Sequence, residues 1–142
     1  MENLKELIIL LVEDDDGHAE LTKEGLKDAG VYNKFIRFCD GEEVWNFLSG
    51  NGAIVMDKNK AYLILLDINM PKMGGVEVLQ KIKTSPELKE IPIIMLTTTD
   101  DPREVEHCYK LGCNVYITKP VEFKKFAETL RRLGLFLQVI KI

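Results

Sequence analysis

The sequence predicts an α/β fold in which helices cover both faces of a doubly wound, mostly parallel sheet. Five short aliphatic runs are typical of strands that are buried on both faces of such a sheet. Helical signals stand between successive runs, so strand and helix alternate five times. The length of 142 residues, 46% of them hydrophobic, suffices for one core and is short for two ordinary domains. We therefore expect a single domain over residues 1–142, with 134–142 as its C-terminal extension.

Each predicted strand is an aliphatic run that stops abruptly at a polar residue. The five runs cover residues 7–12, 35–38, 62–66, 93–96 and 115–118, of which 35–38 is the weakest. The other four are followed by Glu13, Asp67, Thr97 and Lys119. Because parallel strands end at the same edge of a sheet, where ligands bind in open α/β folds, these polar residues are expected to gather there.

Two of the predicted helices begin with recognisable capping residues. Asp101, Pro102 and Glu104 match an N-cap, a first-turn proline and the acid of a capping box. Asp40 and Glu43 repeat the capping signal. The fourth and the second helix are therefore expected to begin at these two points.

Glycine and proline mark where the helices should end. Gly30 and Gly50 stand at the expected ends of the first two helices, and residues 84–86 break the third. Residues 50–60 are expected to form a surface loop, to which we assign no function. An apolar stripe at helical spacing predicts that the last helix packs on the sheet through Phe123, Phe126, Leu130, Leu133 and Leu137.

Charge and cysteine content exclude several classes of function. A net charge of −4 gives no basic footprint, so direct binding to nucleic acid is not expected. The three cysteines, Cys39, Cys108 and Cys113, form no metal-binding doublet and no complete disulfide framework, and Cys108 is interpreted as a small core residue. Residues 1–6 lack the pattern of a signal peptide, and no apolar run approaches the length that spans a membrane. We expect a cytoplasmic protein with no membrane partner.

The acids at the strand ends predict a divalent-metal pocket. Glu13, Asp14 and Asp67 would repel one another unless a cation joined them, and carboxylate oxygens are ligands that suit Mg²⁺. The hydroxyl of Thr97 and the ammonium of Lys119 would then contact an anionic group such as a phosphoryl group. One carboxylate remains free to attack, and Asp67 is the candidate nucleophile for forming an acyl phosphate.

Each of these residues also has a simpler interpretation. Strand-end acids are often solvated loop residues, which is how we interpret Asp15 and Asp16, with Asp16 as the expected N-cap of the first helix. His18 and His107 have no suitable partner nearby in the sequence and are interpreted as surface or helix-face residues. The joint pattern of acid, acid, hydroxyl and lysine at successive strand ends favours the functional interpretation.

Five segments form a specific family signature. They are residues 10–14 (LLVED), 65–71 (LLDINMP), 73–75 (MGG), 95–97 (MLT) and 116–120 (YITKP). Together they resemble the response-regulator receiver family, the CheY-like phosphoacceptor half of two-component signalling. The resemblance spans residues 7 to about 137 and implies a flavodoxin-like fold with strand order 2-1-3-4-5.

The resemblance implies a role for most of the strand-end residues. Asp67 would be phosphorylated, and Glu13 and Asp14 would hold Mg²⁺ together with Asp67 and the backbone carbonyl of Asn69. Lys119 would contact the phosphoryl oxygens. The chemistry would be limited to the domain's own Mg²⁺-dependent phosphorylation and dephosphorylation, so the protein is not expected to be an enzyme acting on other substrates.

Thr97 and Tyr116 match the switch pair of the family. The resemblance implies that the threonine hydroxyl moves to contact the phosphoryl group and that the aromatic ring rotates inward. This change would remodel the face made by the fourth helix, the fifth strand and the fifth helix. Two positions depart from the family pattern: Gly74 stands where many members have an acid or an amide, and Thr98 is bulkier than the usual small residue.

Signal input and output would both be protein contacts. The resemblance implies a sensor histidine kinase or a phosphotransfer protein as the partner. The 50–60 loop, the 116–121 stretch and the apolar C-terminal end resemble the single-domain regulators that partner phytochrome-type kinases. We expect no output domain and hence a stand-alone regulator. Packing of the last helix and a homodimer are equally compatible with the apolar tail, which contains Leu135, Phe136, Val139, Ile140 and Ile142.

Two other functions share parts of this pattern. A phosphatase with an aspartate nucleophile would need a second carboxylate two residues beyond Asp67, where the chain has Asn69. A phosphorylation-independent adaptor would keep the fold, but its usual mark is loss of the acceptor, an acid or the lysine, and none is lost here. Formation of an acyl phosphate would distinguish the phosphoacceptor from the adaptor.

Overall fold

Strands and helices alternate along the chain as predicted. The computed structural model describes residues 5–139, and for Phe123 and residues 135–139 it describes the backbone only. The strands are β1 (Glu6–Val12), β2 (Phe35–Phe38), β3 (Lys60–Leu66), β4 (Ile93–Thr97) and β5 (Val115–Thr118). The helices are α1 (Asp16–Asp28), α2 (Gly41–Ser49), α3 (Gly75–Lys83), α4 (Pro102–Leu111) and α5 (Phe123–Val139).

The strands form one parallel sheet in the order β2-β1-β3-β4-β5, which confirms the predicted doubly wound fold. The register aligns the strand ends, because Val12 pairs with Phe38 on one side and with Leu66 on the other. Glu13 and Asp67 follow Val12 and Leu66 directly, so they leave the sheet side by side. Strand register therefore sets the position of the candidate site.

The core has two layers because successive strand residues point to opposite faces of the sheet. On one face, Ile8, Leu10 and Val12 of β1 pack with buried residues of α2, α3 and α4. On the other face, Ile9 and Leu11 pack with residues of α1 and α5. All five side chains are buried, which is why the strand reads as a continuous aliphatic run instead of an alternating one.

Helices α1 and α5 approach each other closely because small residues stand where they touch. A Cβ atom at Gly25 would lie 2.6 Å from Leu130 Cδ1, and one at Gly134 would lie 2.4 Å from Ala29 Cβ. The predicted apolar stripe of α5 is confirmed at three buried residues, Phe126, Leu130 and Leu133.

The C-terminal predictions extend beyond the described part of the chain. The backbone of α5 continues to Val139. The side chains of Phe123 and Leu137, and those of the tail residues for which helix packing or a homodimer was considered, lie outside the described residues. Within residues 5–139, none of the helices combines the length and the apolar character needed to cross a membrane.

Helices α2 and α4 begin at the predicted N-caps. The side chain of Asp40 accepts a hydrogen bond from the Glu43 N–H at 2.8 Å, and that of Asp101 accepts one from the Arg103 N–H at 2.9 Å. Gly50 ends α2 as predicted, and its φ of 82° lies in the left-handed region that favours glycine.

The N-cap of α1 is Asp15, so the prediction of Asp16 was wrong. Asp15 has an extended backbone, with φ −85° and ψ 117°, and its side chain accepts a hydrogen bond from the His18 N–H at 2.9 Å. Asp16 is already the first helical residue, and its Oδ1 lies 2.7 Å from Arg37 Nη1. The Asp16 carboxylate, which was expected to cap α1, therefore pairs with Arg37 of β2 instead.

Candidate functional site

Three charged side chains are buried together at the carboxyl edge of the sheet. Glu13 follows β1, Asp67 follows β3 and Lys119 follows β5, and their exposed fractions are 3%, 8% and 3%. The Lys119 ammonium donates to Glu13 Oε1 and also lies 3.3 Å from Asp67 Oδ2. Burying a charge is costly unless the charge is paired, so this lysine is what allows two carboxylates to share a water-poor site.

A third acid completes a set of ligands for a cation. Glu13, Asp14 and Asp67 each offer one carboxylate oxygen, and these oxygens lie within 4.8 Å of one another. Asp14 is exposed, and the described part of the chain offers its carboxylate no hydrogen-bond or ion-pair partner. Hard oxygen donors at this spacing suit a small divalent cation.

Glu13 lies in an unfavourable environment for a carboxylate. Burial raises the pKa of Glu13 to about 7, and the hydrogen bond and charge of Lys119 offset only part of that effect. The negative charge of Asp67 acts in the same direction as burial. The acids therefore carry more negative charge than Lys119 neutralises, and a bound cation would relieve that excess.

Close backbone contacts hold Asp67 in place. The Asn69 N–H donates to Asp67 Oδ1 at 3.2 Å, and the Gly75 N–H donates to the Ile68 carbonyl at 2.9 Å. A Cβ atom at Gly75 would lie 2.0 Å from the Asp67 carbonyl oxygen, so only glycine fits at this position. A Cβ atom at the neighbouring Gly74 would make only an ordinary contact, at 3.4 Å from the Ile68 oxygen.

Thr99, in the loop after β4, binds three of the predicted site residues. The side-chain amide of Asn69 donates to Thr99 Oγ1 at 3.0 Å, and the Tyr116 hydroxyl donates to the Thr99 carbonyl at 2.6 Å. The Thr99 N–H donates to Thr97 Oγ1 at 3.5 Å. Burial raises the pKa of Tyr116 to about 12, so its hydroxyl stays protonated and remains a donor. Sequence reasoning missed Thr99 because its partners come from three separate segments.

The site thus has two halves. The charged half consists of Glu13, Asp14, Asp67 and Lys119. The hydroxyl half consists of Asn69, Thr97, Thr99 and Tyr116. The halves meet through backbone groups, since the Asn69 N–H binds the Asp67 carboxylate and the Lys119 N–H donates to the Thr97 carbonyl at 2.6 Å.

Comparison with known families identifies the class of protein. The sequence pattern described as the response regulator receiver domain matches residues 9–131, which is most of the chain. The chain belongs to this family. As a response regulator, it takes part in phosphorylation-based signalling, in which this class of protein has histidine kinases as partners. Members of the family are generally not classical enzymes.

Three similar proteins illustrate the extent of the match. The response regulator Rcp1 of Synechocystis is 36% identical over 129 residues, covering 91% of this chain and 87% of Rcp1. The Mn²⁺-bound form of Rcp1 superimposes with a TM-score of 0.85, at 35% identity over 95% and 97% of the two chains. A receiver domain from Rhodospirillum rubrum superimposes with a TM-score of 0.86, at 43% identity over 95% of this chain and 96% of its own. The phosphorylated cyanobacterial phytochrome response regulator RcpA superimposes with a TM-score of 0.84, at 33% identity over 96% of each chain.

The receiver domain brings the predicted site residues to one edge of its sheet. The three acids and Lys119 form one cluster, and Asn69 links the two halves through its bonds to Asp67 and Thr99. The Thr97 hydroxyl is fully buried and, among the described residues, binds the Thr99 N–H and not the Asp67 carboxylate. The roles of acceptor, metal ligand and switch pair stay predictions.

His18 is a site residue that sequence reasoning missed. Its Nδ1 lies 3.4 Å from Lys119 Nζ and 3.9 Å from Glu13 Oε1, and its ring stacks on Phe126 with centroids 6.1 Å apart. His18 does lie on the face of α1 with its side chain 43% exposed, as interpreted, but its contact with the site could not be seen from neighbouring residues because Lys119 is 101 positions away in the sequence. His18 and the exposed Thr98 both line a cavity of about 300 Å³ that reaches Lys119.

Proposed function

We propose that this receiver domain is a stand-alone response regulator that accepts a phosphoryl group on Asp67 from a sensor histidine kinase or a phosphotransfer protein. The observation that carries the proposal is the burial of the Asp67 carboxylate beside Lys119 and two further acids, at the end of the central strand β3. The domain would pass the signal on by protein–protein contact, without binding nucleic acid directly.

Asp67 is oriented for nucleophilic attack. The Asn69 N–H binds Oδ1 and the Lys119 ammonium lies beside Oδ2, which limits the rotation of the carboxylate. The reaction would form a bond between a carboxylate oxygen and phosphorus and break the bond between phosphorus and the donor's imidazole nitrogen. The imidazole would leave with the bonding electrons and take up a proton. Lys119 would contact the phosphoryl oxygens and offset their charge.

The carboxylate cluster supports Mg²⁺ as the cofactor. Glu13, Asp14 and Asp67 would hold the ion together with the backbone carbonyl of Asn69. When bound, Mg²⁺ would neutralise charge on the transferring phosphoryl group. Two facts support this assignment: the excess negative charge around Glu13, and the existence of an Mn²⁺-bound form of the relative Rcp1.

We assign the signalling change to Thr97 and Tyr116. A Thr97 hydroxyl that turned toward the phosphoryl group would leave the Thr99 N–H, and the Thr99 carbonyl that binds the Tyr116 hydroxyl would shift with it. The Tyr116 N–H also donates to the Tyr109 hydroxyl at 2.9 Å, which ties β5 to α4. Movement of Tyr116 would therefore change the surface formed by α4, β5 and α5.

The similarity to RcpA supports a phytochrome-type histidine kinase as the donor. RcpA is a cyanobacterial phytochrome response regulator, and it matches this chain over 96% of the length of both. The 50–60 loop, the 116–121 stretch and the apolar C-terminal end are the segments in which the sequence resembles such regulators.

Intact-mass spectrometry after incubation with acetyl phosphate tests the proposal. We expect one phosphoryl group to be added in Mg²⁺, almost none in EDTA and none to Asp67→Asn. Asp100→Asn, which makes the same change at an exposed position in the loop after β4, is the matched control and should label like the wild type.

Two outcomes would count against the proposal. Labelling of Asp67→Asn at the wild-type stoichiometry would show that Asp67 is not the acceptor. An unlabelled wild type that is folded and binds Mg²⁺ would favour the phosphorylation-independent adaptor.

A further inference from the structure

We infer that Arg37 is a positioning residue of the proposed metal site, because its guanidinium holds the backbone at Glu13 and thereby sets the geometry of the β1–α1 loop. The inference rests on the proposed function, since it concerns how the cation site is built. Arg37 lies on β2 and is not part of the carboxylate cluster.

Arg37 extends the pairing of β1 and β2 by one residue. The register of these strands ends at the pair of Val12 and Phe38, and the Glu13 N–H still donates to the Phe38 carbonyl at 3.0 Å. The Glu13 carbonyl receives its bonds from the Arg37 side chain instead, with Nε at 3.1 Å and Nη2 at 3.0 Å. Two neighbouring residues of β2, Arg37 and Phe38, therefore bind the backbone carbonyl and the backbone N–H of Glu13.

The same guanidinium also binds the far end of the loop. Its Nη1 lies 2.7 Å from Asp16 Oδ1, so one rigid planar group joins the first and last acids of residues 13–16. Asp14 lies between these two anchors and has no partner of its own among the described residues. Its carboxylate can face those of Glu13 and Asp67 reproducibly only if the loop ends stay fixed.

Removal of Arg37 should change Mg²⁺ affinity in opposite directions depending on whether Arg37 acts by positioning the loop or only through its charge. A positive charge near a cation site repels the cation, so on the charge argument its removal should strengthen Mg²⁺ binding. On the positioning argument, removal should weaken binding because the loop loses its anchor. Lysine keeps the charge but cannot reproduce the planar fork, so it should also weaken binding.

Isothermal titration with Mg²⁺ at constant ionic strength separates the two arguments. We expect Arg37→Lys to bind Mg²⁺ roughly tenfold more weakly than the wild type, the size of effect that loss of one charge-assisted hydrogen bond produces, and Arg37→Gln to bind at least as weakly. The matched control is Arg132→Lys, the same change in an exposed ion pair with Glu128 on α5, and it should bind like the wild type.

A second readout does not depend on the metal. In metal-free ¹H–¹⁵N spectra, we expect the amide signals of residues 14–16 to shift or broaden in Arg37→Lys, while those of β3 and β4 stay in place. Thermal unfolding followed by circular dichroism would confirm that each variant is folded.

The outcomes separate failure of this inference from failure of the proposed function. Wild-type Mg²⁺ affinity in Arg37→Lys with tighter binding in Arg37→Gln would overturn the inference and leave the metal site intact. A folded wild type that binds no Mg²⁺ and does not label with acetyl phosphate would overturn the proposed function and this inference with it.

Discussion

The charged half and the hydroxyl half of the site are built on different parts of the fold. Glu13, Asp67 and Lys119 follow parallel strands directly, so the register of the sheet sets their positions. The hydroxyl half depends on Thr99 in the loop between β4 and α4, through single hydrogen bonds to three other residues. The groups proposed to do the chemistry are thus fixed by the core, whereas those proposed to signal are held by contacts that can exchange.

The two halves also differ in the charge of the groups that they bury. In the charged half, burial raises the pKa of Glu13, and Lys119, which also lies beside Asp67, offsets only part of that effect. In the hydroxyl half, the three hydrogen bonds of Thr99 all join neutral groups. Hydrogen bonding itself is complete in both halves, since no buried side-chain polar atom in the described residues lacks a partner. Substitutions should therefore have large effects on stability in the charged half and small ones in the hydroxyl half.

The largest effect is expected from Gly75→Ala, which acts on the backbone that supports Asp67. The added Cβ would stand 2.0 Å from the Asp67 carbonyl oxygen, so the loop must move and take the acceptor with it. We expect a loss of about 3 kcal/mol in the free energy of unfolding, measured by urea denaturation, and strongly reduced labelling by acetyl phosphate. Gly74→Ala is the matched control and should cost less than about 1 kcal/mol. Equal effects of the two substitutions would show that the close approach is unimportant.

An intermediate effect, with a distinct pH dependence, is expected from Glu13→Gln in metal-free protein. The pKa of Glu13 rises from its ordinary value of 4.5 to about 7 on folding. The fold therefore loses stability as the pH rises between those values, because Glu13 ionises first in the unfolded chain, and the loss is complete above about pH 7. In EDTA at pH 8, we expect Glu13→Gln to be more stable than the wild type by about 2 kcal/mol, and at pH 4.5 the difference should largely vanish. Thermal unfolding at both pH values is the measurement.

The same stability difference between Glu13→Gln and the wild type at both pH values would contradict a raised pKa of Glu13. Addition of Mg²⁺ at pH 8 should reverse the order of stability, because the wild type retains the full set of ligands.

The smallest effect on stability is expected from Tyr116→Phe in the hydroxyl half. This change removes one hydrogen bond, to the Thr99 carbonyl, and should cost about 1 kcal/mol. Tyr62→Phe is the matched control, because the Tyr62 hydroxyl also binds one backbone group, the Asp57 N–H at 2.8 Å, at the opposite edge of the sheet. Labelling of Asp67 should be retained in both variants, and only Tyr116→Phe should speed amide hydrogen exchange in residues 98–100. Loss of labelling in Tyr116→Phe would contradict the division into two halves.

Most of the fold could be predicted because its signals are local. Strands β2 and β5 have the predicted bounds, whereas β1 and β3 begin earlier than their aliphatic runs, at Glu6 and Lys60. These two residues are register partners, and their side chains form an ion pair at 2.5 Å, which lets the strands continue into polar sequence. A pairing between strands cannot be recognised from either segment alone.

The candidate site was predictable to a similar extent. Asp67, Thr97 and Lys119 stood out because each ends an aliphatic run, and parallel strands bring such residues together. His18, Arg37 and Thr99 gave no comparable signal, since each is an ordinary polar residue in its own segment.

The amino-acid sequence alone determined the order of strands and helices, the N-caps of α2 and α4 and the residues at the strand ends, because these depend on neighbours within a few positions. Tertiary structure decided how the four consecutive acids, residues 13–16, are paired. Asp15 caps α1, Glu13 is paired with Lys119 and Asp16 with Arg37, which leaves the Asp14 side chain without a partner in the described chain. Two of those partners are distant in the sequence, and only folding brings them within bonding distance.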